Sequence, residues 1–286
     1  ADATESVYLS GSTSAPDFPT LDPFQAAYGG GAADGFAAKL ASGGSALLYS
    51  TFLGGSATDG VNGAVLDQHG RLFAAGATSS GDFPTAGAGR TARGEETESF
   101  VAKLASAGSA LVFSTALAPG RAKELTVLQD AVMVAGRIRS DALPGREAGR
   151  TEGEGGSEPF LAGLSDTDGE EYFGAGLKAA GAADGLSIDG DPEGGLYAMG
   201  ASLPTEFPTR SGRWSESGRN DVWVGKFAPA TAPDSSLLFS AFLGGSGDDR
   251  GGQISYDWRR NLYVIGTTAS DDFPTRLPPQ SSRAGG

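Results

Sequence analysis

Short apolar runs bounded by Gly, Asp, Ser and Thr recur along the whole chain, and the stretch Ser235 to Thr275 gives the clearest copy of the unit they form. Four strands, A to D, are predicted per unit. Strand A is Gln253 to Asp257, with Val61 to Asp67, Glu124 to Leu128 and Leu186 to Asp189 as equivalents. Strand B is Leu262 to Ile265, matched by Val7 to Ser10, Leu72 to Ala75, Val132 to Ala135 and Leu196 to Met199. Tight turns of Gly, Asn or Asp between A and B predict hairpins. Strand C reads Phe36 to Leu40, Phe100 to Leu104, Phe160 to Leu164 and Trp223 to Phe227, and strand D starts at Leu47, Leu111, Glu171 and Leu237. In strand C the aromatic points to one face and Lys39, Lys103 and Lys226 to the other, because side chains alternate along a strand.

Two landmarks fix the period. Gly11, Gly76, Gly136, Gly200 and Gly266 are 65, 60, 64 and 66 residues apart. Seven residues after each stands Phe18, Phe83, Leu143, Phe207 or Phe273, always followed by Pro. Such self-similarity is the signature of a repeat architecture, in which each unit buries its faces against its neighbours. The expected fold is all-β: one domain over residues 1–286, a β-propeller of four-stranded antiparallel blades, about four to five in this chain. The units run roughly 1–60, 61–122, 123–183, 184–250 and 251–286, the last incomplete. Aligning Gly11 on Gly266 sets Asp2 on Asp257, so the first unit begins at the end of a strand A. Four A, five B, four C and four D strands result, a count that leaves both ends inside a unit: the expectation is a part of a longer polypeptide, the alternative a composite blade in which the C-terminal A and B strands join the N-terminal C and D strands.

The segments Tyr49-Ser-Thr-Phe-Leu-Gly-Gly, Leu262-Tyr-Val-Ile-Gly, Asp272-Phe-Pro-Thr and Asp34-Gly-Phe-Ala-Ala-Lys-Leu together resemble the bacterial β-propeller repeat called SBBP. The resemblance covers essentially the whole chain. It weakens in the third unit, where Leu143-Pro144-Gly145 replaces Phe-Pro-Thr and Gly163 replaces the strand C lysine. It implies an extracellular or cell-surface setting within large proteins, and it supplies no catalytic residues.

Composition narrows the function. The 46 Gly and 15 Pro sit at recurring turn positions, which marks ordered β structure rather than disorder. A formal net charge of -14 opposes nucleic acid and anionic membrane as partners. No apolar run reaches the length that crosses a bilayer. The chain has no Cys, which excludes disulfides and thiolate chemistry.

Candidate sites gather on the face where D-to-A and B-to-C connections emerge. Asp59, Asp184, Asp248 and Asp249 precede strand A, while Asp17, Asp82, Glu206 and Asp272 stand at or before the Phe-Pro landmark. They read either as turn-capping residues or as an acidic binding face. Trp214, in a B-to-C connection, is the aromatic candidate for that face. Asp166, Asp168 and Glu170 crowd one C-to-D turn and are the candidate Ca²⁺ ligands, Ca²⁺ being the one cofactor considered. Lys39, Lys103 and Lys226 are expected to pair with a neighbouring unit. His69, the only histidine, lies in an A-to-B turn on the opposite face, where it does not build a nucleophilic triad.

The sequence reading is a noncatalytic extracellular or cell-surface scaffold and binding module, assembling with protein partners or other copies of itself through its loop face. The alternative is a carbohydrate-binding or glycoside-cleaving propeller that uses channel carboxylates.

Overall fold

Residues 2, 4–87, 89–129, 131–139, 157–177, 186–203, 213–214, 219–228, 237–276 and 280 are described by the structure, a computed structural model. The protein is all-β, with antiparallel sheets and, among the described residues, no α-helix. Strands β1 (Val7–Thr13), β2 (Asp34–Leu40) and β3 (Leu47–Leu53) form a three-stranded sheet in that order. A seven-stranded sheet follows in sequence order: β4 (Asp59–Leu66), β5 (Leu72–Thr78), β6 (Glu98–Leu104), β7 (Leu111–Leu128), β8 (Ala131–Arg139), β9 (Ser157–Ser165) and β10 (Glu171–Gly176). The third sheet contains β11 (Ser187–Gly190), β12 (Leu196–Ser202), β13 (Arg213–Trp214), β14 (Asp221–Phe227) and β15 (Leu237–Leu243), ordered β11-β12-β14-β15-β13. The last is the hairpin β16 (Asp249–Tyr256) and β17 (Leu262–Thr268).

These strands follow the repeat. β1, β5, β8, β12 and β17 are its B strands, and β4, the second half of β7, β11 and β16 its A strands. The seven-stranded sheet holds two units because β7 runs through their junction. Pro119 still pairs with Glu98 of β6, while Gly120 already pairs with Ile138 of β8. The reason is local: Ala118-Pro119-Gly120-Arg121 stands where the first and fourth units carry the turns Gly54-Gly55-Ser56 and Gly244-Gly245-Ser246, so no such turn folds the chain back between the two strands.

The core lies between sheets, in a register repeated from unit to unit. Phe73 and Ala75 of β5 cluster with Val132 and Val134 of β8. Met133 and Ala135 of β8 cluster with Leu196 and Ala198 of β12. Tyr197 and Met199 of β12 pack with Leu262 and Val264 of β17, and Tyr8 of β1 with Leu72 of β5. The second and fourth residues of one B strand therefore meet the first and third of the next. A strands are also stitched to one another: Asn62 Nδ2 donates to Ala122 O at 2.9 Å, and Ile188 N–H to Glu124 Oε2 at 3.1 Å.

Both sequence landmarks acquire a cause. Gly76, Gly136 and Gly266 lie opposite a bulge in the neighbouring A strand, where a Cβ would sit 1.8, 2.2 and 2.3 Å from the carbonyl oxygens of Gly60, Arg121 and Arg250. Only glycine permits that approach. The phenylalanine seven residues later folds back on the strand C aromatic, Phe83 on Phe100 at 4.4 Å and Phe18 on Phe36 at 4.7 Å between ring centroids.

Candidate functional site

The acids of the A-strand junction are built into the turn rather than displayed on it. Asp59 is buried, and its Oδ2 accepts the Gly55 N–H and the Ser80 hydroxyl, both at 2.7 Å. Asp82 Oδ1 accepts the Ser56 N–H at 2.8 Å and its hydroxyl at 2.9 Å. The later junction repeats this bond for bond: Asp249 Oδ2 holds Gly245 N–H and the Ser270 hydroxyl at 2.8 Å each, and Asp272 Oδ1 holds Ser246 at 2.7 and 2.9 Å. A side chain on Gly55 or Gly245 would strike Asp82 or Asp272 at 2.4 or 2.5 Å, which explains the paired glycines.

The expected acidic face is corrected accordingly for Asp59 and Asp249, which are enclosed by their own loops. Asp248 remains partly exposed and faces Arg219 at 3.5 Å. Asp17 lies exposed in the first B-to-C connection. Asp184 and Glu206 lie outside the described residues, as does the Trp214 side chain; the Trp214 backbone runs parallel to β15.

A second acid per junction escaped the sequence reading. Asp34, Glu98 and Asp221 each stand two residues before the strand C aromatic and are buried. The signal was available, since Glu158 completes the series in the third unit. Burial raises the Asp34 carboxyl above the usual range against the pull of the Gly29 N–H. Burial, then the facing acids Asp249, Asp248 and Asp272, push Asp221 up to about 7. Glu98 has a counterion instead, Arg90 at 2.7 Å. That pair forms the wall of a polar cavity of about 300 Å³ with Arg93, Glu96, Pro119 and Arg139. Its charges are largely spent on one another, Arg139 reaching Glu96 across the mouth.

On the opposite side the strand C lysines form a second repeated set. Lys39 pairs with Asp2 at 2.9 Å and Lys226 with Asp191 at 2.6 Å, each over the tyrosine of its own B strand, Tyr8 or Tyr197. The partner is the A-to-B turn acid of the same unit, which corrects the expected pairing with a neighbour. The turn acid is itself fixed by capping: Asp2 Oδ1 takes the N–H groups of Thr4 and Ser6, as Asp257 Oδ1 takes those of Arg259 and Asn261. Lys103 alone reaches the next unit, donating to the Asp166 carbonyl at 2.5 Å and its carboxylate at 3.3 Å, with Asp67 at 3.7 Å.

That contact also corrects the Ca²⁺ reading. Asp166 is an ion-pair partner of Lys103 and Arg71, and Asp168 Oδ1 accepts the Glu170 N–H at 3.1 Å. Among the described residues no three acid or histidine side chains gather as a metal site. His69 is exposed in its turn.

In the third unit the lysine set is absent: Gly163 replaces the lysine and Met133 the aromatic, and Tyr172 covers them, its hydroxyl 3.6 Å from Met133 Sδ. Beside it, burial pushes Glu171 up to about 7 against the lowering influence of Arg90. A carboxyl whose pKa rises on folding stabilises the fold below its unfolded value and loses that contribution as pH climbs toward the folded one. Glu171→Gln is therefore expected to raise stability by about 1 kcal/mol at pH 8 and to change nothing at pH 4, read from urea denaturation at both pH values.

The two ends of the array expose what the interior covers. Val7 and Leu9 of β1 are 41% and 47% exposed, and Tyr263 and Ile265 of β17 are 53% and 66% exposed. Every residue of β5 and β12, at the same positions, is buried. Trp258, in the β16–β17 turn, is 83% exposed, with the Arg259 guanidinium over its ring. Among the described residues no helix is long and apolar enough to cross a membrane.

No protein-family model matches the chain, and neither does any curated protein. Among solved structures it is similar to XC5397 from Xanthomonas campestris, described as a gluconolactonase important in glucose secondary metabolic pathways. The likeness has a TM-score of 0.31 and 12% identity, over 82% of this chain and 78% of that one. At that score nothing about activity passes from one protein to the other.

Proposed function

We propose that the chain is a β-propeller of the SBBP-like repeat type, its four-strand units stacked about a common axis, and that it is a noncatalytic extracellular or cell-surface module assembling with copies of itself. The observation that carries this reading is the pair of uncovered sheet faces. Tyr263 and Ile265 occupy the B-strand positions that elsewhere pack onto the next unit, as Tyr197 and Met199 do. Val7 and Leu9 occupy the positions that elsewhere receive the preceding unit, as Val132 and Val134 do. Residues 1–286 thus present both halves of the contact their units make internally four times, and a further unit of the same kind, from this polypeptide or from a second copy, joins them head to tail. Exposed aromatic and branched aliphatic side chains grouped this way are the mark of an interface. The noncatalytic part is supported by the spending of Asp59, Asp82, Asp249 and Asp272 on their own turns and of Lys39, Lys103 and Lys226 on nearby acids.

Sedimentation velocity tests it. The wild type is expected to associate with rising concentration, more readily in salt that screens its charge. Tyr263→Ser with Ile265→Ser, or Val7→Ser with Leu9→Ser, should each give monomers, and a mixture of the two double variants should give a dimer and nothing larger. A wild type that stays monomeric throughout would sink the proposal.

A further inference from the structure

At the first junction Asp34 and Asp59 are both enclosed, at 0% and 2% exposure. One oxygen of each is used: Asp34 Oδ2 accepts the Gly29 N–H at 2.6 Å, and Asp59 Oδ2 accepts the Gly55 N–H and the Ser80 hydroxyl. The other two, Asp34 Oδ1 and Asp59 Oδ1, are buried and meet no donor among the described residues, where neither acid has an ion-pair partner. The acids whose charge reaches Asp34 are Asp59 and the exposed Asp82, which is held by Ser56. The fourth junction has the same arrangement at close quarters: a Cβ on Gly244 would stand 2.2 Å from Asp221 Oδ1 and 2.8 Å from Asp249 Oδ2. Two carboxylates taken out of water lose hydration and repel each other unless a positive charge joins them.

The second junction carries such a charge on a side chain. Gly120 stands at the register of Asp59, facing Ile138 as Asp59 faces Thr78, so Glu98 is left without a second buried acid. Arg90 meets it at 2.7 Å. Arg90 holds the place of Gln25 in the first unit, its N–H donating to Thr115 Oγ1 at 2.9 Å as that of Gln25 donates to Thr51 Oγ1 at 2.8 Å. One acid thus goes with one guanidinium, whereas the pair Asp34 and Asp59 has the neutral Gln25 in the guanidinium's place. We infer that Asp34 Oδ1 and Asp59 Oδ1 are ligands of one calcium ion, whose two positive charges answer two acids as Arg90 answers Glu98. Only oxygens are offered, which suits a hard cation, and the rest of the shell falls to backbone carbonyl or water oxygens. Mg²⁺ is disfavoured because it dehydrates reluctantly and demands near-ideal octahedral geometry. These oxygens differ from that of Asp166, which Lys103 and Arg71 already occupy. The ion ties the start of β2 to the start of β4, one unit to the next, and takes no part in the outer sheet faces of the assembly reading.

The probe is Ca²⁺ itself, added to the full chain after dialysis against EDTA and then metal-free buffer. The melting temperature at neutral pH is expected to rise saturably with Ca²⁺, and an equal rise should need at least tenfold more Mg²⁺, since an ion that binds only the folded state stabilises it. Bound calcium per chain is counted by mass spectrometry of the dialysed, loaded protein. Gln25→Arg, which gives the first junction the guanidinium of the second, should hold one ion fewer than wild type and melt no lower than wild type without Ca²⁺. Asp34→Asn should also lose one ion, while Ser56→Ala, which touches the turn through Asp82, keeps the wild-type count. If circular dichroism shows one of the first two variants misfolded, the other decides the count. No rise up to about 5 mM Ca²⁺, above the dissociation constants of extracellular calcium modules, an equal response to Mg²⁺, or a count that neither variant lowers would overturn the inference. A melting temperature that rises only as pH falls, with no response to Ca²⁺, would mean that the two acids share a proton instead, and overturns it equally.

Discussion

Gly76→Ala is expected to cost about 3 kcal/mol, at the upper end for an overpacked interior, while Gly11→Ala costs about 1 kcal/mol or less. Both glycines are the same landmark of the repeat, so a propensity argument predicts equal penalties. The structure separates them. A Cβ on Gly76 would lie 1.8 Å from the carbonyl oxygen of Gly60, in backbone held by pairing on β5. On Gly11 it would meet only the edge of the Phe36 ring, at 3.1 Å, and a ring can tilt away. The first clash is between two backbones and has no such escape. Urea midpoints of the two variants check the difference, which exists because β1 has no A strand opposite its glycine.

The second large effect is at Lys103. Its side chain is fully buried, with its ammonium 4.6 Å from the Phe73 ring centroid and between Asp67 and Asp166. Lys103→Met keeps the apolar stem and removes the charge, leaving the nearly buried Asp67 with Arg71 as its cation and the Asp166 carbonyl without its donor. Breaking one side of a buried ion pair costs about 3 kcal/mol or more. Lys39→Met removes the same residue of the repeat from a place where the ion pair is 17% and 13% exposed, and water takes over much of the solvation. There the loss should stay under about 1 kcal/mol. Thermal melts of the two variants distinguish a buried, interunit lysine from its solvated counterpart.

The strand pattern was almost wholly legible, because the alternation in Phe36-Ala-Ala-Lys-Leu and its copies and the turn residues between A and B are local signals. The glycine landmark was visible as a period but not as a cause, since the bulge it faces belongs to a different strand. Where sequence reasoning failed, the missing information was depth. Asp59 and Asp249 look like surface acids until the Gly-Gly-Ser turn is seen to wrap them. Asp166 looked like a cation ligand because its sequence neighbours are acids, whereas its spatial neighbours are Lys103 and Arg71, from another unit. The continuous strand β7 was likewise hidden, although the loss of Gly-Gly-Ser at Pro119 was in plain view. The unequal strand count was visible in the sequence, but only packing shows which side chains of β1 and β17 are uncovered.

Hydrogen exchange of the full chain at low and high protein concentration tests the central claim most directly, because protection reports local cover. The account predicts that amides of β1 and β17 exchange early in dilute protein and become protected as concentration rises, while those of β5, β8 and β12 are protected throughout. Protection of β17 that equals that of β12 in dilute protein, or that stays low at every concentration, would contradict it.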